Sequence, residues 1–308
     1  MACLQKQAMR TAEVINFFQK EAINQIEQEI LVNYQESVLG FFEKKGIILE
    51  KNREIPPTLL AVVLYDRISK LTKNPTPYWR IKQQSIQKAR LLKESLKEKL
   101  KTISKENQLE FGIYCAVLGN VIDYGAEYAF NLEEECQKIF DTRFAYFHIN
   151  ALKQQLQKAK KIIYIGDNAG ENELDEILIQ IFKAHYPQLQ IFYFVRGAEI
   201  INDITLDDLH QSDSELFKIC EVRDSGVPSP GFIYELANIE SQRLFREADL
   251  VFAKGMGNFE SLEKQAQDDS RIFFLFKIKC NVVADYLNQK LGEFVLLHSH
   301  SLKKGLVC

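Results

Sequence analysis

The sequence predicts an α/β protein: a Rossmann-like, mostly parallel sheet flanked by helices, with an all-helical N-terminal subdomain. Three observations carry this prediction. After residue 160, short β-prone apolar runs alternate with helical patterns, as in a parallel sheet covered by helices. Before about residue 130, apolar side chains recur at three and four residues with no comparable run between them. The later apolar runs end in polar or glycine-rich turns, the places where open α/β sheets bind ligands.

The 308 residues suffice for one large domain or two moderate ones. The chain divides into a helical subdomain over residues 1–130, a helical link over 131–160, and an α/β domain over 161–308. Charged residues at 26% and hydrophobic residues at 46% are ordinary for a soluble globular protein. A net charge of -3 leaves no electrostatic footprint for nucleic acid or an anionic membrane, so any anion site is local. No apolar run approaches the ~18 residues of a membrane helix. Residues 1–18 carry Lys6 and Arg10 in a helical pattern and lack the apolar centre of a signal peptide.

Of the six cysteines (Cys3, Cys115, Cys136, Cys220, Cys280 and Cys308), none lie at C-x-x-C spacing, and no Cys/His cluster suits zinc. Cys220 and Cys280 sit in apolar surroundings and read as small core residues. A reducing cytoplasm is the expected home. Nothing in the sequence specifies an oligomeric state.

In the helical half, Leu4, Ala8, Ala12, Ile15 and Phe18 form one apolar stripe. A second helix follows Pro56-Pro57, which fit its first turn or the link before it. The segment Asn74-Pro75-Thr76-Pro77-Tyr78 breaks the pattern. A long charged helix comes next, with Ala89, Leu92, Leu96, Leu100 and Ile103 on one side. Its lysines are interleaved with glutamates and read as a solvated face. The apolar stretch after Phe111 contains Asn120 and Asp123, three apart and on one helix face. Two polar side chains in such a run need each other or a site.

In the α/β half, strands are expected at residues 162–165, 190–195, 218–222, 250–253, 272–276 and 294–297, joined by right-handed crossovers. The first ends at Gly166-Asp167-Asn168, which alone would suit a helix cap. The second ends at Arg196-Gly197 and leads to Asn202-Asp203. The third ends at Arg223-Asp224-Ser225-Gly226, the fourth at Lys254-Gly255-Met256-Gly257-Asn258, and the fifth at Lys277. Scattered caps would not concentrate this chemistry on one sheet edge. Asp167, Asn168 and Asp203 offer hard oxygen ligands with no His or Cys among them, which suits Mg²⁺ or Mn²⁺. Lys254 adds a point charge, and Gly255 and Gly257 let backbone N–H groups approach an anion before the next helix. Metal, lysine and N–H cradle together fit a phosphoryl group. The lysine loop lacks the order of a P-loop, which argues against nucleotide triphosphate hydrolysis. There is no D-x-D strand end, so Asp167 reads as a metal ligand and not as a covalent nucleophile.

These motifs resemble the metal-dependent damage-control phosphatases, formerly domain-of-unknown-function-89 proteins, of the compact stand-alone prokaryotic type. The matching stretches are residues 3–10, 74–78, Gly119-Asn120-Val121-Ile122-Asp123-Tyr124-Gly125, Gly166-Asp167-Asn168-Ala169-Gly170-Glu171, Val195-Arg196-Gly197, Ile201-Asn202-Asp203 and residues 247–260. They span nearly the whole chain in the family's order. The resemblance implies a site between the helical subdomain and the α/β domain, and a divalent metal (Mn²⁺, Co²⁺, Ni²⁺ or Mg²⁺) held by Asp167, Asn168 and Asp203. It implies Lys254 on the substrate phosphate, Asn120 and Asp123 facing the pocket, and Glu171 close to the metal. Arg196, Gly255, Gly257 and Asn258 complete the expected phosphate-binding set. The implied activity is hydrolysis of small phosphate monoesters, sugar phosphates or damaged phosphorylated metabolites, by metal-activated water. Glu171 and Asp123 are the nearby groups able to move a proton.

Two departures stand out. The family type usually has two cysteines at C-x-x-C spacing near its start, and here only Cys3 matches. Where relatives often have Lys-Gly, this chain has Arg196-Gly197, which exchanges a point charge for a planar fork. Two other functions fit parts of the pattern: an S-adenosylmethionine-dependent methyltransferase, and a non-catalytic sugar-phosphate-binding module. Against methyl transfer, the first turn places two ligand-like side chains where cofactor approach needs small ones. His298-Ser299-His300 lacks a third ligand for a metal. The loop holding Asp224, Pro228 and Pro230 is expected to lie over the site, and Tyr78-Trp79-Arg80 to pack the linker or line the cleft.

Overall fold

The computed structural model describes residues 33–49, 55–119 and 143–302. Among these, seven strands form one sheet: β1 (Phe144–Phe147), β2 (Lys161–Ile165), β3 (Gln190–Val195), β4 (Glu221–Asp224), β5 (Leu250–Lys254), β6 (Ile272–Lys277) and β7 (Phe294–His298). Their order is β1-β7-β6-β5-β2-β3-β4. All neighbours are parallel except β6 and β7, so the expected mostly parallel α/β sheet is present. From β2 the chain moves to β3 and β4 on one side, then returns to β5 on the other. The connections therefore change direction between β2 and β5, and a ligand crevice opens at such a switch, beyond the carboxyl ends of the strands.

The helices are α1 (Tyr34–Lys44), α2 (Pro57–Thr72), α3 (Trp79–Leu100), α4 (Gln108–Leu118), α5 (Ile149–Lys158), α6 (Glu171–His185), α7 (Leu206–Gln211), α8 (Leu216–Ile219), α9 (Ile239–Glu247), α10 (Met256–Ala266) and α11 (Asn281–Leu287). Pro57 takes the first position of α2, where its missing N–H is not needed. Strand side chains alternate between two cores. Ile163, Ile165, Phe192 and Phe194 face α1, α2, α9 and α10, whereas Ile162, Tyr164, Ile191 and Tyr193 face α3, α4, α5 and α6. Helices from the first half of the chain thus contribute to the cores on both sides of the sheet.

Three expectations need correction. The segment expected as a helical link contains strand β1. Its pairing with β7 and the packing of Phe144 on Tyr114 and Phe294 come from distant residues. The strand expected at 218–222 starts at Glu221. Buried Leu216 anchors a helical turn, and both the N–H and Sγ of Cys220 donate to its carbonyl at 2.9 and 3.3 Å. The lysines of α3 are not all solvated. Lys82 and Lys93 are buried and cross to the α/β half. Lys82 Nζ donates to Glu199 at 2.8 Å and Asp208 at 2.7 Å. Lys93 Nζ reaches Glu173 and Glu176 at 2.5 Å each, while Arg90 forks onto Glu173. Desolvating these ions is costly unless each meets an opposite charge, and here each does.

Cys220, its thiol pushed up to about 12 by burial first and by Glu176 second, is inert core. No helix of the described residues is long and apolar enough to cross a membrane.

Candidate active site

The turn after β2 is built by backbone pairing with the loop after β3. Ile204 N–H donates to the Asp167 carbonyl at 2.9 Å, Ala169 N–H donates to the Asn202 carbonyl at 2.8 Å, and Asn168 and Asp203 form an isolated antiparallel bridge. Two separate strand ends thereby bring Asp167, Asn168 and Asp203 side by side. Ile201, two residues before Asp203, has φ of 45°, which is left-handed and unfavourable for a β-branched residue. Such strain costs of order 1–3 kcal/mol and persists where surrounding structure enforces it. Here Ile200 and Ile201 pack on Tyr65 and Tyr78, whose hydroxyls are 3.1 Å apart. Tyr78 thus packs against the loop that carries Asp203, and Trp79 Nε1 donates to Gln211 at 2.9 Å.

The side chains form one network. Asn168 Nδ2 donates to Asp167 Oδ2 at 3.0 Å and to Glu171 Oε1 at 2.8 Å. Lys254 Nζ donates to Glu171 Oε2 at 3.0 Å and Asp175 Oδ1 at 2.7 Å. Tyr164 and Tyr193 hydroxyls donate to Asp175 at 2.6 and 2.9 Å. Arg196 Nε donates to Asp203 Oδ2 at 2.7 Å, with Nη2 3.6 Å from Asp167 Oδ1. All but the half-buried Asn168 are buried. One oxygen each of Asp167, Asn168 and Asp203, the Oδ1, accepts no hydrogen bond among the described residues.

The charges are unevenly matched. Burial, then the carboxylates of Glu171 and Asp203, hold the Asp167 carboxyl well above the usual range, and Lys279 and Arg196 only partly oppose this. Burial also raises Asp203, against the pull of Arg196. Burial works against the ammonium of Lys254, yet Asp175 and Glu171 outweigh it and hold the amine protonated. No group of three or more His, Cys, Asp or Glu among the described residues forms a ready-made chelate, because the set here is two carboxylates and an amide.

Several residues expected at the phosphate have other partners. Arg196 Nη1 donates to Asn258 Oδ1 at 3.2 Å and Nη2 to the Pro230 carbonyl at 2.9 Å, so all three guanidinium nitrogens are engaged inside the protein. Asn258 is spent bracing loops: Nδ2 on the Gly166 and Lys254 carbonyls, Oδ1 on Phe232 N–H. Gly255 N–H donates to the Leu275 carbonyl at 3.0 Å and is not directed at an anion, which corrects the cradle reading for that residue. Its lack of a side chain has a different use: with φ of 83°, a Cβ there would lie 2.0 Å from Asp167 Oδ2. Gly257 makes room for the Pro230 carbonyl, 2.3 Å from where a Cβ would stand. The proline loop thus meets the residues of the site at Pro230, whose carbonyl abuts Gly257 and accepts from Arg196.

Gly119, the last described residue before Asn120, has its would-be Cβ 2.7 Å from Glu171 Cγ. Asn120 and Asp123 themselves lie outside the described residues. Sequence reasoning missed Asp175, Tyr164 and Tyr193. The available signal was spacing, since Asp175 stands four residues after Glu171 and shares its helix face. His298 of the last turn is structural: it bonds the Ser270 carbonyl and stacks on Phe273.

Comparison with known proteins agrees with this architecture. Residues 1–295 match the family profile described as the damage-control phosphatase ARMT1-like domain. The chain is 32% identical over 256 residues to a damage-control phosphatase of Pyrococcus horikoshii, covering 83% of this chain and 86% of that one. It is 27% identical over 242 residues to a damage-control phosphatase of Archaeoglobus fulgidus, covering 77% and 80%. A crystal structure of a DUF89 family protein from Pyrococcus horikoshii superposes with a TM-score of 0.79 at 29% identity, covering 97% of this chain and 96% of the other. The names of these relatives support a phosphatase role. The chain belongs to the damage-control phosphatase ARMT1-like domain family.

Proposed function

We propose that the protein is a metal-dependent phosphatase of small phosphate monoesters, sugar phosphates or damaged phosphorylated metabolites, working in the cytoplasm. The observation that carries this reading is the trio of oxygens left over at Asp167, Asn168 and Asp203, beside the β2–β5 switch. Oxygen donors of this kind suit Mg²⁺, Mn²⁺ or a related divalent ion. The surrounding charge fits as well: Asp167 and Asp203 lie against Arg196, and Glu171 and Asp175 lie against Lys254. A bound divalent cation would supply Lewis-acid polarisation of a phosphoryl oxygen and acidify a water.

The chain's own residues do the rest. Arg196 fixes Asp203, and Asn168 bridges Asp167 to Glu171, so the three ligands are oriented before substrate arrives. Lys254, held charged by Asp175, steadies Glu171 from below. Glu171 sits one hydrogen bond from the metal trio and is the described carboxylate best placed to take or return a proton. The free thiols of Cys115, Cys220 and Cys280 agree with a reducing compartment.

A screen of divalent metals against phosphorylated metabolites tests the proposal. Asp167→Ala or Asp203→Ala should lower metal-dependent hydrolysis of p-nitrophenyl phosphate by roughly a thousandfold or more. Full activity in both variants would refute it.

A further inference from the structure

Helix α3 sets two residues from its start against the loop that carries Asp203. Tyr78, its N-cap, packs with Tyr65 on Ile200 and Ile201. Lys82, four residues on and so on the same helix face, is fully buried. Its Nζ donates to Glu199 Oε2 at 2.8 Å and to Asp208 Oδ2 at 2.7 Å. These two carboxylates stand four residues before Asp203 and five after it. One ammonium thus joins the two limbs of the loop.

The second limb is keyed to the site. Asp208 Oδ2 also accepts from Thr205 N–H at 3.0 Å and from Thr205 Oγ1 at 2.6 Å. Thr205 pairs with Arg196 in an isolated parallel bridge, and Ile204 N–H donates to the Asp167 carbonyl. Lys82 is therefore linked, through Asp208 and Thr205, to within two residues of Asp203. Ile201 keeps its left-handed φ of 45° inside this loop, so contacts impose the loop's shape against local preference. Lys93, eleven residues further along α3, gives the contrast. Both carboxylates that it reaches at 2.5 Å, Glu173 and Glu176, stand on helix α6, where there is no loop to shape.

We propose that Lys82 is a positioning residue for the metal site: it fixes residues 199–208 so that Asp203 stands beside Asp167 and Asn168. It acts through the loop and touches neither metal nor substrate. This rests on the reading of Asp203 as a metal ligand and deepens it, because it makes the start of α3, in the helical half, a determinant of cation affinity.

Two measurements on the full chain test this. In hydrogen exchange of metal-free protein, Lys82→Met keeps the buried stem and removes the ammonium. Exchange at the Ile204 and Ala169 amides, which tie the loop to the turn after β2, should quicken by about tenfold or more beyond any change in β5. In Mn²⁺ titration calorimetry, at a temperature where each variant is folded, Lys82→Met should bind about tenfold more weakly, as for a group that orients a ligand. Loss of a nearby positive charge alone would act the other way and tighten cation binding. Glu199→Ala frees one limb and should bind Mn²⁺ about threefold more weakly, whereas Glu199→Gln, which still accepts from Lys82, should match wild type. Lys93→Met should lose stability and keep its Mn²⁺ affinity. Unchanged or tighter Mn²⁺ binding in Lys82→Met would overturn the proposal, as would exchange at Ile204 and Ala169 that merely follows β5. If Lys82→Met does not fold, Glu199→Ala decides, and wild-type Mn²⁺ affinity there overturns the proposal. Failure of the metal reading looks different: wild type itself would bind no divalent ion, and the exchange result alone would judge the loop.

Discussion

One helix, α6, carries two clusters of buried carboxylate, and they are treated in opposite ways. Glu173 and Glu176 meet Lys93, with Arg90 on Glu173 and Ser214 on Glu176 completing the set. Glu171 and Asp175, interleaved with them, belong to the site. There the neighbouring Asp167, Asn168 and Asp203 keep oxygens that no described donor fills. Burial of charge is common to both clusters and does not identify the functional one. What separates them is compensation. The first cluster ties the α3 helix to the sheet and is matched by opposite charge, whereas the second keeps the unfilled oxygens that the proposed cation would take.

The comparison can be broken from either side. Lys93→Ala strands two buried glutamates and should destabilise the fold by about 3–5 kcal/mol. Chemical denaturation measures this, and the KM of folded enzyme at low temperature should stay near wild type. A large KM change would merge the two clusters into one functional unit. A smaller effect concerns pH. Burial first, then Glu173, raise the Glu176 carboxyl from its ordinary 4.5 to about 7, even with Lys93 pulling it down. A raised carboxyl favours the folded state while protonated, so this contribution is present below pH 4.5 and lost as pH climbs through 7. Glu176→Gln should therefore lose less stability between those values than wild type does, read from melting temperatures at several pH values. Equal slopes would contradict the assignment.

Much of this was legible in the sequence, and the remainder has identifiable causes. The apolar runs that became β2, β3, β5, β6 and β7 announced themselves because strands buried on both faces need continuous apolar residues. Strand β1 did not, since its four half-buried residues owe their pairing to β7, far along the chain. Asp167, Asn168 and Asp203, the trio proposed to hold a metal, were visible as residue types at strand ends. The directions of Arg196 and Asn258 were not, because their partners at Pro230 and Phe232 come from a loop with no local signal. Lys82 and Lys93 looked solvated because only carboxylates more than 75 residues away explain their burial.

The central claim is that Asp167 and its neighbours are under-compensated until a divalent cation binds. Melting temperatures of wild type and Asp167→Asn, with chelator and across a Mn²⁺ titration, address it directly. Without metal, Asp167→Asn should melt above wild type, since a buried, poorly paired carboxyl has been removed. With Mn²⁺, wild type should rise with concentration as expected for a ligand bound only by the folded state, and the variant should rise little. A wild-type melting temperature indifferent to Mn²⁺, together with phosphomonoester hydrolysis persisting in chelator, would contradict the account.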